Sequence, residues 1–431
     1  MKNFKYLILF ITTAILLSCE ADNGVDYLHD ESPEARISKQ IENYSMLLTG
    51  PENGWIGYYS PNKSYGAYTL LTRFNADGNV VINSDYNLGG SNGEVLYRID
   101  KTDKVELVFE THGLLHEIFE TEDNSIDGDF AFNFISTSEE EIILEGKIDP
   151  TDDITRLVLT PAAESDWELD SVYEMINNLN NSAENSYFRN VTYNDESIAS
   201  FKFNSITRLS SLLFSVSETK DSIISQPISI KPTGIEFLLK PEINGVVLDG
   251  EFLYDSQESA FINTEESLKI VHSDVPHLLE HYDFGARYNI RYNYLEPEKS
   301  SSAFDVFFNN YIETVFADYG VSIDRVYIRD LNEEAPNLHI YTNAGRVRAY
   351  VTYEVRDDEK VYFSLTGDSN VDLSEGEIWH TILNPLLEVI IGSETGYFIE
   401  NTGGLLRYTN GTVTLINADH PKYAINYYDF N

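Results

Sequence analysis

The chain has one cysteine, Cys19, in 431 residues. No disulfide can form within it, although exported proteins commonly use them, so the body must be stable through its core alone. Positive charge is scarce: 29 Lys and Arg stand against 71 Asp and Glu, a net charge of −42. Such a field repels phosphate backbones and argues against nucleic acid as a partner. It can keep the protein soluble and steer basic partners or divalent cations, though a solvated acidic surface without a specific target is the plainer reading. No Gly-x-Ser-x-Gly nucleophile elbow is present. Gly89-Gly90-Ser91-Asn92-Gly93 lacks the spacing and the following helix of a phosphate or dinucleotide loop. Low-complexity segments and repeats of fixed period are absent too.

What is there begins with a processing signal. Lys2 and Lys5 form a basic n-region, and residues 6–17 an apolar h-region. That run is shorter than the ~20 residues a bilayer span needs, but it suits a cleaved signal. It ends in Leu16-Leu17-Ser18-Cys19, which resembles the lipobox of bacterial lipoproteins. A thiol is required there to take a diacylglyceryl group before cleavage exposes a new amine for acylation. Two or more chains hold a protein on a membrane firmly, where one is marginal. Residues 1–18 are therefore expected to be a lipoprotein signal peptide, with Cys19 the lipidation site and the membrane lipid its anchor. Residues 19–31 are a polar, acidic tether. Glu20 and Asp22 just after the cysteine resemble a surface-export signal, which places the body on the outer membrane facing the cell surface; a periplasmic face is the alternative.

The body reads as mainly β with α: antiparallel β-meander or barrel-like units joined by amphipathic helices. Ser32 is a good N-cap and Pro33 fits the first helical position. Ile37, Ile41, Tyr44 and Leu48 then recur at helical spacing. Strand patterns follow from Trp55 to Leu159, with Asn75-Ala76-Asp77-Gly78-Asn79 as a hairpin turn. A helix over 166–180 separates this unit, residues 32–165, from a second β-rich unit, residues 166–292. Residues 293–302 read as a linker. A C-terminal α+β unit occupies 303–431, with helices over 303–319 and 377–391.

Several segments resemble a family of Bacteroidota-type lipoproteins that carry a domain of unknown function. They are Leu107–Phe119 with His116, then Asp127-Gly128-Asp129-Phe130, Ile142–Lys147, Lys231–Phe237 and Asn244–Phe252. The likeness is clear over Ile37–Tyr254 and weaker in the C-terminal third. Members sit beside SusC/SusD-like uptake pairs and zinc-metallopeptidase-type lipoproteins, so the resemblance implies an envelope role next to nutrient import. It carries over no catalytic residue. The loop at 120–126 lacks the expected glycine-rich sequence.

Histidine is the first place to look for a metal. His112 and His116 are four apart, as are His277 and His281. On a helix either pair would face one way and could chelate zinc. Neither forms His-Glu-x-x-His, and packed or surface histidines are the plainer reading. No cofactor is expected. Asp127, Asp129, Asp152 and Asp153 belong to an acidic surface that offers many such pairs, and carboxylates paired for glycoside hydrolysis leave no sequence spacing to read. Trp55, Trp167 and Trp379 fall where core packing explains them. The functional expectation is a non-catalytic accessory or ligand-binding component, not an enzyme, linked to a SusC/SusD-like uptake system and taking a glycan or peptide ligand. The alternative is a surface hydrolase acting on glycan or peptide.

Overall fold

The computed structural model describes residues 31–86, 93–120, 128–147, 155–180, 183–217, 219–280, 282–284, 289–331, 336–356, 358–366, 376–405 and 409–430. Cys19, Asp127, Asp152, Asp153 and His281 lie outside them. The fold is mainly β, with 47% of the described residues in strands. It consists of three closed, eight-stranded antiparallel barrels and a small two-stranded hairpin. Closure pairs every strand edge, which removes the aggregation liability of open edges without disulfides.

In the first barrel, strand Trp55–Ser60 pairs with Tyr68–Phe74 on one side and Arg156–Pro161 on the other. Its alternation serves two cores. Trp55 and Tyr59 point into this barrel, whereas Ile56 and Tyr58 join the core of the second. The second barrel closes where Phe188–Tyr193 meets both Glu196–Asn204 and Leu268–Ser273. In the third, Asn289–Tyr292 meets Ile323–Arg329 and Ala424–Asp429.

Helices stopper the barrels. Ser32 caps the opening helix, Pro33–Leu48, by accepting the Ala35 N–H at 3.2 Å. The Trp55 indole N–H donates to the Leu48 carbonyl at 2.8 Å and ties that helix to its barrel. Helix Asp170–Leu179 buries Val172, Met175, Ile176 and Leu179 in the second core. The buried Arg189 guanidinium donates to the carbonyls of Asn178, Leu179 and Asn180 at its C-terminal end, where a cation opposes the helix dipole. In the third barrel, helices Ser302–Tyr319 and Gly376–Ile390 share the interior with the strands, and Tyr311 Oη donates to the Ile382 carbonyl at 2.7 Å.

The structure departs from the sequence reading in four places. Residues 289–292, read with the second unit, form a strand of the third barrel. Residues 293–302 are not a free linker. Asn293, Glu296, Ser300 and Ser301 are buried, and the Asn293 side-chain amide donates to Asn426 at 2.7 Å. The helix expected over 166–180 is broken at Leu169, which takes φ 55° and buries its side chain. A 3-10 turn, Glu164–Glu168, precedes the break. The C-terminal unit is a complete barrel, closed by the unexpected strand Ala424–Asp429.

The barrels are joined by close backbone contacts. Gly66 N–H donates to Thr207 O at 2.8 Å and Ala67 N–H to Ile228 O at 2.9 Å. A Cβ on Gly66 would fall 2.1 Å from Arg208 O, so only glycine permits this approach. Beside it, Asp85 and Arg208 form a buried ion pair at 3.0 Å. Between the second and third barrels, Glu400 is buried at 2% side-chain exposure. It takes Lys202 Nζ at 3.0 Å and the Tyr187 hydroxyl at 2.9 Å.

Candidate functional site

The family-like segment around His116 occupies one end of the first barrel. Helix Leu114–Phe119 turns Leu114, Leu115 and Ile118 into the core, so its histidines lie on the other side. His116 stacks on Phe130 with ring centroids 4.2 Å apart and on His112 at 5.6 Å. Burial, then His112, lowers its proton affinity. His112 Nε2 lies 3.2 Å from Glu120 Oε2. The two imidazoles stand face to face, 28° from parallel. Their lone pairs lie in the ring planes and so do not converge on one ion as zinc requires.

Gly128-Asp129-Phe130 follows a different logic. The Asp129 carboxylate accepts the backbone N–H of Phe130 at 2.7 Å, of Ala131 at 2.9 Å and of Lys147 at 2.6 Å. The Tyr59 hydroxyl accepts the Asp129 N–H at 2.8 Å and donates to its carbonyl at 3.2 Å. A Cβ on Gly128 would meet that hydroxyl at 2.2 Å. Asp129 thus pins two strand ends, and its oxygens are held by backbone amides rather than presented to a ligand.

The other histidines are dispersed. Residues 274–280, which follow strand Leu268–Ser273, are not helical, and His281 lies outside the described residues. His277 Nδ1 lies 3.0 Å from Ser197 Oγ, and burial lowers its pKa. His272 Nδ1 lies 2.7 Å from Ser186 O and donates to it, and Arg189 stands 3.4 Å from Nε2. Burial, then Arg189, pushes the His272 pKa down to about 4. Asp274 accepts from Ser186 Oγ at 2.5 Å. Among the described residues, no three His, Cys, Asp or Glu side chains gather as metal ligands. Asn75–Asn79 is the expected hairpin turn, with Gly78 N–H donating to Asn75 O.

Among the described residues, two open clefts stand out. One, of about 490 Å³, runs between the opening helix and the turn at 137–139, with Arg36, Lys39, Asn43 and Tyr44 facing Ser138 and Glu139. Tyr44 stacks on Phe134 at 4.0 Å beside it. The other, of about 480 Å³, lies between residues 245–250 and 263–268 of the second barrel. The second presents mainly donors and acceptors, whereas the first combines its polar groups with an apolar lining that includes Leu47 and Tyr44. The sequence reading missed the first because a polar helix face looks the same whether it borders a cleft or bulk water.

The class these observations define is a tandem of helix-stoppered antiparallel barrels. Residues 26–272 match the family described as Domain of unknown function (DUF4302), more than half of the chain, and the chain belongs to that family. The match ends within strand Leu268–Ser273, so it takes in the first two barrels and leaves the third outside. No curated protein matches the chain.

Proposed function

We propose that this chain is an exported lipoprotein of Bacteroidota type, acylated at Cys19 and displayed from the outer membrane toward the cell surface. There it serves as a non-catalytic accessory or binding component beside a SusC/SusD-like uptake pair, with a glycan or peptide as ligand. The observation that carries the reading is the order of the N-terminal signals. Basic n-region, apolar h-region, Leu16-Leu17-Ser18-Cys19 and acidic tether lead to a helix capped at Ser32. The body favours binding over turnover because the Asp129 carboxylate is engaged by backbone amides and His116 by aromatic stacking. Tethering supports it further, since partners held in one membrane need little intrinsic affinity.

The test is Cys19→Ala in cells fed labelled palmitate. The variant should stay unlabelled and uncleaved, and label that persists in it refutes the anchor. Protease added to intact cells should degrade the wild-type body, and cross-linking should capture an outer-membrane neighbour. A body protected until the outer membrane is opened faces the periplasm.

A further inference from the structure

The third barrel gathers basic residues on one outer face. Strands Asn289–Tyr292, Ile323–Arg329, Asn337–Thr342 and Gly345–Val355 lie side by side, and Ala424–Asp429 flanks the first. Ile290, Val326, Ile328, Leu338, Ile340 and Val347 belong to the core, so strand alternation sends the residues between them outward. There Tyr428, Arg291, Tyr327, His339 and Arg348 are successive cross-strand partners. Arg325, Tyr341 and Arg346 form a second row. Arg329 and Tyr350 both face Asn337. These five arginines are drawn from 14 in a chain of net charge −42. Three strand spacings separate Arg291 from Arg348, about 14 Å.

Three features set this face apart from a solvated one. Among the described residues, only Arg325 of the five has an ion-pair partner, Asp324 at 2.8 Å. The Arg291 guanidinium stands over the rings of Tyr294, Tyr327 and Tyr428 at 4.3, 5.1 and 5.7 Å, which fixes it without neutralising it. At the centre, His339 is 3% exposed, and neither ring nitrogen has a hydrogen-bond partner among the described residues. Burial, then Arg348, Arg346 and Arg329, against an opposing Asp330, holds its pKa at about 4. A neutral imidazole with empty valences among guanidiniums is a configuration that an incoming anion stabilises.

We propose that this face binds one strand of an anionic polysaccharide, its carboxylate or sulfate groups on Arg291, Arg329, Arg346 and Arg348 and its hydroxyls on Tyr294, Tyr341 and Tyr350, the less buried tyrosines here. The inference rests on the binding reading above and names its ligand class and site. Guanidinium forks match carboxylate and sulfate geometry. Arg291 stands over Tyr294, Tyr327 and Tyr428, of which Tyr327 and Tyr428 are buried and Tyr294 is exposed, so the face offers the Tyr294 hydroxyl edge rather than a run of platforms for nucleobase stacking. A second copy of this chain brings another −42, and two such bodies repel, whereas a slender polyanion places its charge only on the patch.

The mature lipoprotein in detergent is titrated with heparin, with polygalacturonate and with neutral dextran. One of the two polyanions should bind and dextran should not, with affinity falling as salt rises. Arg346→Gln/Arg348→Gln should weaken binding about tenfold or more, while Lys101→Gln on the first barrel leaves it unchanged. Independently of any variant, bound polyanion should shield Arg346 and Arg348 from phenylglyoxal, read by mass spectrometry, and should raise the His339 pKa in an NMR titration. The proposal is overturned if neither polyanion binds or if Lys101→Gln costs as much as the arginine pair. It is equally overturned if single-stranded DNA binds as tightly, or if the arginine pair instead abolishes self-association. These outcomes are separable from failure of the anchor, which palmitate labelling reads on its own.

Discussion

Replacing Arg208 with methionine should destabilise the joint between the first and second barrels by about 3–5 kcal/mol at neutral pH, the usual cost of stranding one member of a buried ion pair. The structure sets the terms. Asp85 is 3% exposed and Arg208 4%. Asp85 Oδ1 accepts the Thr69 N–H at 2.7 Å, and Oδ2 accepts from Arg208 at 3.0 Å. Arg208 Nε and its other terminal nitrogen have no partner among the described residues, so the pair is an incompletely satisfied one. Burial raises the Asp85 pKa even with Arg208 beside it. A carboxyl whose folded pKa lies above its unfolded value contributes stability at low pH that is lost as pH rises through the folded pKa. Without the guanidinium that pKa climbs further, so the Arg208→Met penalty should grow with pH and shrink in acid. Asp85→Asn/Arg208→Met keeps an acceptor for Thr69 and removes the stranded charge. It should recover about 2 kcal/mol or more of the single variant's loss. Urea unfolding followed by tryptophan fluorescence reads this, because Trp55 lies in the first core, Trp167 packs against the second and Trp379 against the third. A loss below about 1 kcal/mol that does not change between pH 5 and 8 would refute the claim that this seam excludes water.

Gly66→Ala should separate the same two barrels, since its Cβ would meet Arg208 O at 2.1 Å and Ile228 O at 2.5 Å. A loss of about 1–3 kcal/mol and new proteolytic sites between residues 162 and 187 are expected, and a silent substitution contradicts the contact. Asp129→Asn can keep Oδ1 for the Phe130 and Ala131 N–H groups but then turns its amide against the Lys147 N–H, and should lower stability by about 1–3 kcal/mol; an unchanged urea midpoint would show that the carboxylate does not hold these strand ends. His272 stays neutral in the folded state down to about pH 4, whereas the unfolded chain takes up its proton near 6.5. Its stabilisation is therefore present above pH 6.5 and lost as pH falls from there toward 4. His272→Asn should flatten the stability profile in that window by at most about 1.4 kcal/mol per pH unit, and parallel profiles would show that Arg189 and burial do not hold the imidazole neutral.

Local signals were legible wherever one stretch of chain decides the outcome. Ser32-Pro33 announced the first helix, and Phe304, Phe307, Phe308, Tyr311, Ile312, Val315 and Phe316 announced the one that begins at Ser302, although Phe316 faces solvent rather than the core. Asn75–Asn79 announced its hairpin, and alternation showed which residues of Trp55–Ser60 point together. The n-region, h-region and Cys19 can be read in no other way than locally. Closure into three barrels was not legible, because alternation assigns a residue to a face but not to a partner strand. Pairings such as Asn289–Tyr292 with Ala424–Asp429 span more than 130 positions and are fixed only when the whole sheet curls shut. For the same reason nothing in the sequence pairs Asp85 with Arg208, 123 residues apart. The i, i+4 spacing of His112 and His116 gave no sign of their ring stacking, which depends on how Phe130 is brought beside them. The arginines at 291, 325, 329, 346 and 348 are scattered in sequence. Cross-strand register, a property of the folded sheet alone, is what brings them onto one face.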